Sequence, residues 1–120
     1  MPYSLVEIAQ VPTSAEHHPA SSPWDRRLNG PLGIDGFGLY RVDLPPGEET
    51  VPHDHRDDGV QDAYVVTDGS GSLVVDGQEV ALRPGHAASV TPEAVRSVRA
   101  GADGCSFLAV CAEGRPARSA

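Results

Sequence analysis

Short stretches of alternating apolar and polar residues, interrupted by glycine and proline, run through most of the chain. Thirteen Gly and eleven Pro leave little room for helices of ordinary length, so the pattern favours many short strands. The first strand is predicted near residues 5–11. The others are predicted at residues 37–44, 50–55, 62–67, 72–75, 79–83, 87–91, 95–99 and 106–112. The chain is therefore predicted to be all-β, a sandwich or a jelly-roll barrel.

Turn signals separate these predicted strands. Asp-Gly dipeptides at 68–69 and 76–77 are typical of tight hairpins. The Gly-Ser-Gly stretch at 69–71 is interpreted as a hairpin bend, and the glycines of 101–104 predict an interruption of strand pairing.

The predicted organisation is one domain with an arm and a tail. Residues 14–33 are turn-rich and weakly apolar, so we expect an irregular arm that Trp24 anchors to the core. The N-terminal strand and arm are predicted over 1–33, the barrel over 34–112 and a C-terminal tail over 113–120.

The composition and charge of the chain disfavour some classes of binding partner. The chain has 120 residues and a formal charge of −8, and all its basic residues are Arg. Such acidity disfavours nucleic acid and anionic membranes as partners. Acidic Glu7 lies where a signal peptide needs a basic start, so we expect a cytoplasmic protein, and the lack of Lys suggests a bacterial genome. Cys105 and Cys111 are expected to be free and are assigned no chemistry.

The candidate chemistry lies between residues 45 and 71. His53 and His55 are two apart, so on a strand they project from one face and can converge on one ion. A carboxylate on the adjacent strand completes a set of two imidazoles and one carboxylate, which leaves metal positions open for substrate. Asp62 is the candidate, and alternation then directs Tyr64 inward as well.

The same stretch resembles the first motif of the cupin superfamily, G-x5-H-x-H-x3-4-E-x6-G. Gly47, His53 and His55 match its opening, and counting six residues back from Gly69 places Asp62 where the motif has Glu. Six residues separate His55 from Asp62, against the usual three or four.

The second cupin motif, G-x5-P-x-G-x2-H-x3-N, matches this chain in the spacing of its positions but not in most of its residues. Starting it at Gly85 places Arg96 at the metal-binding His. Arginine offers no lone pair to a metal, so the fourth protein ligand of the family is absent. The resemblance covers residues 37–112 and implies a small single-domain cupin: a jelly-roll barrel that commonly dimerises and often holds a divalent transition metal.

Two functions fit this resemblance. In the first, His53, His55 and Asp62 hold iron, manganese, nickel or zinc weakly, so that a chelator removes it, in an enzyme acting on a small, anionic organic molecule. Tyr64 and Arg96 are its candidate catalytic residues, Arg96 holding a carboxylate or enolate oxygen. The reaction would be of the oxygenase, isomerase, cyclase or lyase type. In the second, the barrel binds a small ligand without metal and without catalysis. A purely structural role is disfavoured because inward charged groups are costly.

Other interpretations of these residues stay open. The two motif histidines could be solvated loop residues, and Asp62 could serve Arg96 rather than a metal. A buried, unpaired guanidinium is costly, so we expect an Arg96–Asp62 contact. His17, His18 and His86 are predicted to be surface residues. One cavity is expected to be lined by His53, His55, Asp62, Tyr64 and Arg96.

Overall fold

The computed structural model describes residues 2–13 and 22–113. The elements in chain order are a 3-10 turn at Ile8–Gln10, β1 (Asp25–Arg27), α1 (Asn29–Leu32), β2 (Gly38–Leu44), β3 (Val60–Val75), β4 (Gln78–Leu82), β5 (Ala87–Val90) and β6 (Arg96–Glu113). Within these residues no helix is long and apolar enough to cross a membrane. The all-β prediction is confirmed.

The strands form one curved antiparallel sheet in the order β1-β2-β6-β3-β4, with β5 also paired to β3. The first half of β3 lies between β5 and the second half of β6. The second half of β3 lies between β4 and the first half of β6. Each long strand therefore contributes to two layers of the fold.

Glycines allow β3 and β6 to bend where they pass between the layers. The register shifts between Val66 and Asp68 and again between Gly69 and Gly71. A Cβ at Gly69 would collide with the Gly104 carbonyl and one at Gly71 with the Arg99 carbonyl, so the two backbones approach too closely for any side chain. The hairpins predicted at 68–69 and 69–71 are wrong, because β3 continues through both positions. The predicted interruption at 101–104 is confirmed, because the β3–β6 register passes from Ala100 to Cys105 with no partners for the four residues between them.

The core lies between the layers, where alternate strand residues point inward. In β2 these are Tyr40, Val42 and Leu44, and the chain's single tryptophan, Trp24, packs against the same cluster. The predicted anchoring of the arm by Trp24 is confirmed. The remaining buried members of the core are Tyr64, Val66, Leu73, Leu82, Val90, Val98, Ala100, Cys105, Phe107 and Ala109.

Two N-terminal segments, residues 2–13 and 22–33, differ from their predictions. The predicted strand at 5–11 is wrong, since this segment forms only the 3-10 turn. Part of the predicted irregular arm instead forms β1, which pairs with β2. The Asn29 side chain ties α1 to the start of β2, because its amide donates to the carbonyls of Ile34 and Phe37 and its oxygen accepts the Leu39 N–H.

Two further predictions were tested. Asp76 and Gly77 both have positive φ, 49° and 83°, and join β3 to β4, which confirms the predicted tight hairpin. His86 is half-buried and hydrogen-bonded to Arg83 rather than exposed. His17 and His18 lie outside the described residues.

Candidate metal centre

The segment that carries the two motif histidines runs beside the start of β6 without forming the strand predicted at 50–55. Only two isolated bridges occur, Glu49 with Arg99 and His53 with Arg96. Pro52 lacks an N–H group and so cannot take part in a regular ladder. His53 still exchanges both backbone hydrogen bonds with Arg96, at 3.1 and 2.8 Å. This pairing places the side chains of His53 and Arg96 on the same face.

Three potential ligand atoms converge at this point. The Nε2 atoms of His53 and His55 are 3.2 Å apart. Oδ2 of Asp62, which comes from β3, lies 3.3 Å from Nε2 of His55 and 3.8 Å from Nε2 of His53. The structure thus brings together the two imidazoles and the carboxylate that the sequence selected.

Hydrogen bonds on the far side of each ring determine where the imidazole protons lie. Nδ1 of His53 is 2.8 Å from the Val51 carbonyl, and Nδ1 of His55 is 3.1 and 3.2 Å from the two Asp58 oxygens. Carbonyls and carboxylates only accept, so each Nδ1 carries the hydrogen. In the neutral rings both Nε2 atoms therefore present lone pairs to each other across 3.2 Å. Facing lone pairs repel unless a cation or proton lies between them, so this donor set fits a divalent metal.

The third candidate ligand, Asp62, is fixed by buried partners. Its side chain is 3% exposed and that of Arg96 is 0% exposed, with Nη1 of Arg96 donating to Oδ2 at 2.6 Å. The Tyr64 hydroxyl donates to the same oxygen at 3.1 Å. The predicted Arg96–Asp62 contact is confirmed. Oδ1 of Asp62 is buried and has no hydrogen-bond partner in the described part of the chain, which leaves an acceptor for a metal.

All three nitrogens of the Arg96 guanidinium donate to groups of the protein itself, so none is directed toward a bound molecule. Its Nε donates to the Ala94 carbonyl at 3.0 Å and its Nη2 to the Thr91 carbonyl. The guanidinium therefore neutralises the charge of Asp62 and holds its carboxylate from the side away from the cavity.

Burial keeps the neighbouring acidic groups protonated. Burial, and next the Asp62 charge, raise the pKa of the Tyr64 hydroxyl above its usual range. The same two causes raise the pKa of the Cys111 thiol, which lies directly across from Asp62 in the β3–β6 ladder. By contrast, the Val60 N–H and the His55 ring lower the pKa of Asp58. Tyr64 and Cys111 are therefore neutral donors at neutral pH, not bases or nucleophiles.

A cavity of about 580 Å³ opens beside the three ligand atoms, a size suited to a small organic molecule. His53, His55, Asp62 and Tyr64 line it, as predicted, but Arg96 does not. The prediction that Arg96 faces this cavity is wrong because its guanidinium turns back toward two backbone carbonyls. The rest of the wall is largely apolar, formed by residues such as Val42, Val51, Val60, Phe107 and Ala109.

The sequence reasoning missed some functional positions. Asp58 binds His55 and also lines the cavity, and its position three residues after that histidine was the available signal. Asp25 and Tyr40 line the cavity as well, and no motif marked them.

Comparison with known proteins identifies the family. The family model for the cupin domain matches residues 40–111. The chain belongs to the cupin family. Cupins commonly bind a divalent metal, and in this cupin the group His53, His55 and Asp62 has ligand atoms that all lie within 4.8 Å of one another. No curated protein is significantly similar to this cupin in sequence.

Solved structures support the fold. A cupin protein from Bacteroides fragilis has a TM-score of 0.77 at 20% identity, covering 100% of this chain and 92% of its own. A Cupin 2 conserved barrel domain protein from Salinispora arenicola has a TM-score of 0.70 at 17% identity, covering 95% of this chain and 90% of its own. A sugar phosphate isomerase of the cupin superfamily from Silicibacter pomeroyi has a TM-score of 0.66 at 26% identity, covering 75% of this chain and 59% of its own. The predicted jelly-roll barrel, the double-stranded β-helix of cupins, is confirmed.

Proposed function

We propose that this cupin is an enzyme that binds a divalent transition metal through His53, His55 and Asp62 and acts on a small organic molecule in the adjacent cavity. The observation that carries the proposal is the pair of Nε2 lone pairs facing each other at 3.2 Å beside a buried carboxylate. Two imidazoles and one carboxylate suit iron, manganese, nickel or zinc and leave positions open on the metal.

Each protein group has a stated part in this proposal. The metal, when bound, would supply Lewis-acid or redox chemistry to a molecule in the cavity. Arg96 balances the charge of Asp62 and fixes its orientation. Tyr64 donates its hydroxyl proton to the same carboxylate and forms part of the cavity wall, so its part in the proposal is to fix Asp62 beside a bound molecule. The apolar wall limits the access of water to the reacting atoms.

The cavity wall bears on the kind of molecule that binds. The isomerase from Silicibacter pomeroyi supports an isomerase among the reaction types named above. However, no arginine is present among the residues that line the cavity in the described chain, and Asp25, Asp54 and Asp58 are. The basis for expecting an anionic ligand was Arg96, so an anionic oxygen would have to be held by the metal instead.

Metal content tests the proposal directly. Protein produced without a His-tag should contain close to one transition metal ion per chain by elemental analysis. His53→Ala should lose that metal, while His86→Ala, which removes a histidine outside the cluster, should retain it. Wild-type protein that remains metal-free after dialysis against iron, manganese, nickel and zinc salts would contradict the proposal.

One observation favours a second function, a metal-free binding module. Arg96 occupies the position of the fourth ligand in the second cupin motif and already pairs with Asp62, which competes with any metal for that oxygen. In that case the cavity would bind its ligand with equal affinity in the presence and absence of a chelator.

We also propose that the protein is a homodimer. Tyr3 and Leu5 are 64% and 89% exposed at the start of the chain, and a second copy would cover them. Val11 and Leu28, by contrast, are buried on their own barrel. Sedimentation should show twice the 12.6 kDa chain mass at micromolar concentration, and a monomer at that concentration would contradict this proposal.

A further inference from the structure

The loop between His55 and Asp62 carries a residue whose geometry points to a specific task. Gly59, with φ of 69°, donates its N–H to the His55 carbonyl at 2.8 Å, which folds the loop back on itself. This turn brings both carboxylate oxygens of Asp58 within 3.2 Å of Nδ1 of His55. The six residues that separate His55 from Asp62 thus give the loop room for a carboxylate beside the ring.

We propose that Asp58 is a positioning residue that fixes the tautomer and orientation of His55 so that its Nε2 lone pair faces the metal position. The inference rests on the proposed metal centre. A carboxylate on the far nitrogen of a metal-binding histidine holds the ring in place and increases its basicity as a ligand.

The two histidines differ in how they are held, which makes this role separable from the rest of the site. His53 is oriented by a backbone carbonyl, that of Val51, which no substitution removes. The Nδ1 contact of His55 is to a side chain instead. Asp58 also accepts the Val60 N–H at 3.1 Å, so the carboxylate is itself fixed although its side chain is 58% exposed.

The first experiment uses the metal-free protein. Nitrogen-15 NMR of the imidazole rings, recorded near pH 8, reports which ring nitrogen carries the hydrogen. In wild type, His55 should be protonated at Nδ1. In Asp58→Ala it should shift to the Nε2–H form or to a mixture, whereas Asp57→Ala, at the neighbouring exposed position, should leave His55 unchanged. Asp58→Asn keeps one acceptor oxygen, and in Asp58 a single oxygen, Oδ1, serves both His55 and Val60. Without the charge it should therefore preserve the Nδ1–H form.

The second experiment measures metal affinity by calorimetric titration with Co²⁺. Asp58→Ala should weaken binding by roughly 10- to 100-fold. Asp57→Ala should change it less than about twofold, which is the range expected for an exposed position outside the site. Backbone amide spectra of both variants, compared outside residues 54–62, show whether the barrel is intact.

The outcomes separate this inference from the proposed function. If wild type binds no Co²⁺, the metal centre fails, and the tautomer measurement then decides whether Asp58 orients His55. If wild type binds Co²⁺ but Asp58→Ala keeps both the Nδ1–H form and the affinity, Asp58 has no positioning role and the metal centre stands.

Discussion

The buried pair formed by Arg96 and Asp62 provides the sharpest test of how the site is built. Arg96→Met keeps the length and apolar stem of the side chain but removes the guanidinium. The carboxylate of Asp62, 3% exposed, would then lose its guanidinium contact and keep the Tyr64 hydroxyl. The carbonyls of Thr91 and Ala94 would lose their hydrogen bonds from the guanidinium as well, although the Thr91 carbonyl still accepts the Ala94 N–H.

The expected decrease in the free energy of unfolding follows from the loss of this partner. Removing one partner of a buried ion pair costs about 3–5 kcal/mol, because the remaining charge is left uncompensated. That is a large part of the roughly 5–15 kcal/mol by which a domain is stable. With a urea m-value of about 2 kcal/mol/M, the unfolding midpoint of Arg96→Met should fall by roughly 1.5–2.5 M.

A double-mutant cycle isolates the pair. Asp62→Asn combined with Arg96→Met removes both charges, so the double variant should be more stable than Arg96→Met alone by at least about 2 kcal/mol. Unfolding can be followed by the fluorescence of Trp24, with a chelator present so that metal binding does not contribute.

The control pair lies on the surface. Arg41 and Asp68 are 3.6 Å apart with side chains 22% and 73% exposed. Their coupling free energy should stay below about 1 kcal/mol. If the Arg96–Asp62 coupling is no larger than that of the control pair, the reasoning about the buried charge is wrong.

Three further outcomes are expected. Gly71→Ala should lower the free energy of unfolding by at least about 2 kcal/mol in urea titration, because its methyl group meets backbone. Gly30→Ala, which places its methyl group in open space, should not. Equal stabilities of the two variants would contradict the close approach of β3 and β6. Tyr64→Phe should cost about 1–2 kcal/mol by losing its bond to Asp62, and an unchanged melting temperature would contradict that bond. Because folding raises the pKa of Cys111, its contribution to stability is complete below the unfolded pKa of about 8.5 and is lost as pH rises above it. Cys111→Ala should therefore flatten the fall in stability between about pH 8 and 11, and an unaltered slope would refute this.

The residues of the candidate site could be predicted from the sequence, but the contacts around them could not. The His-x-His spacing and the six residues before Gly69 selected His53, His55 and Asp62, and the structure places these three together. The direction of Arg96 was not predictable, since the same inward position allows a guanidinium to enter the cavity or to turn toward the carbonyls of Thr91 and Ala94. That choice depends on where backbone carbonyls lie in the folded chain, which a strand pattern does not reveal.

What the sequence determined by itself is local. Period-two alternation predicts β2, and two adjacent residues that tolerate positive φ predict the hairpin at Asp76 and Gly77. Both features depend on residues close together in the chain, although the same Asp-Gly signal at 68–69 falls inside β3.

Only the tertiary structure decided the features that depend on distant residues. Gly71 was predicted to lie in a hairpin bend, but it is the place where β3 passes against the backbone of β6 at Arg99. Likewise, no sequence motif marked Asp58, and only the fold of the loop places it beside the His55 ring. In both cases the residue type permits several conformations, and contacts made across the folded chain select the one that occurs.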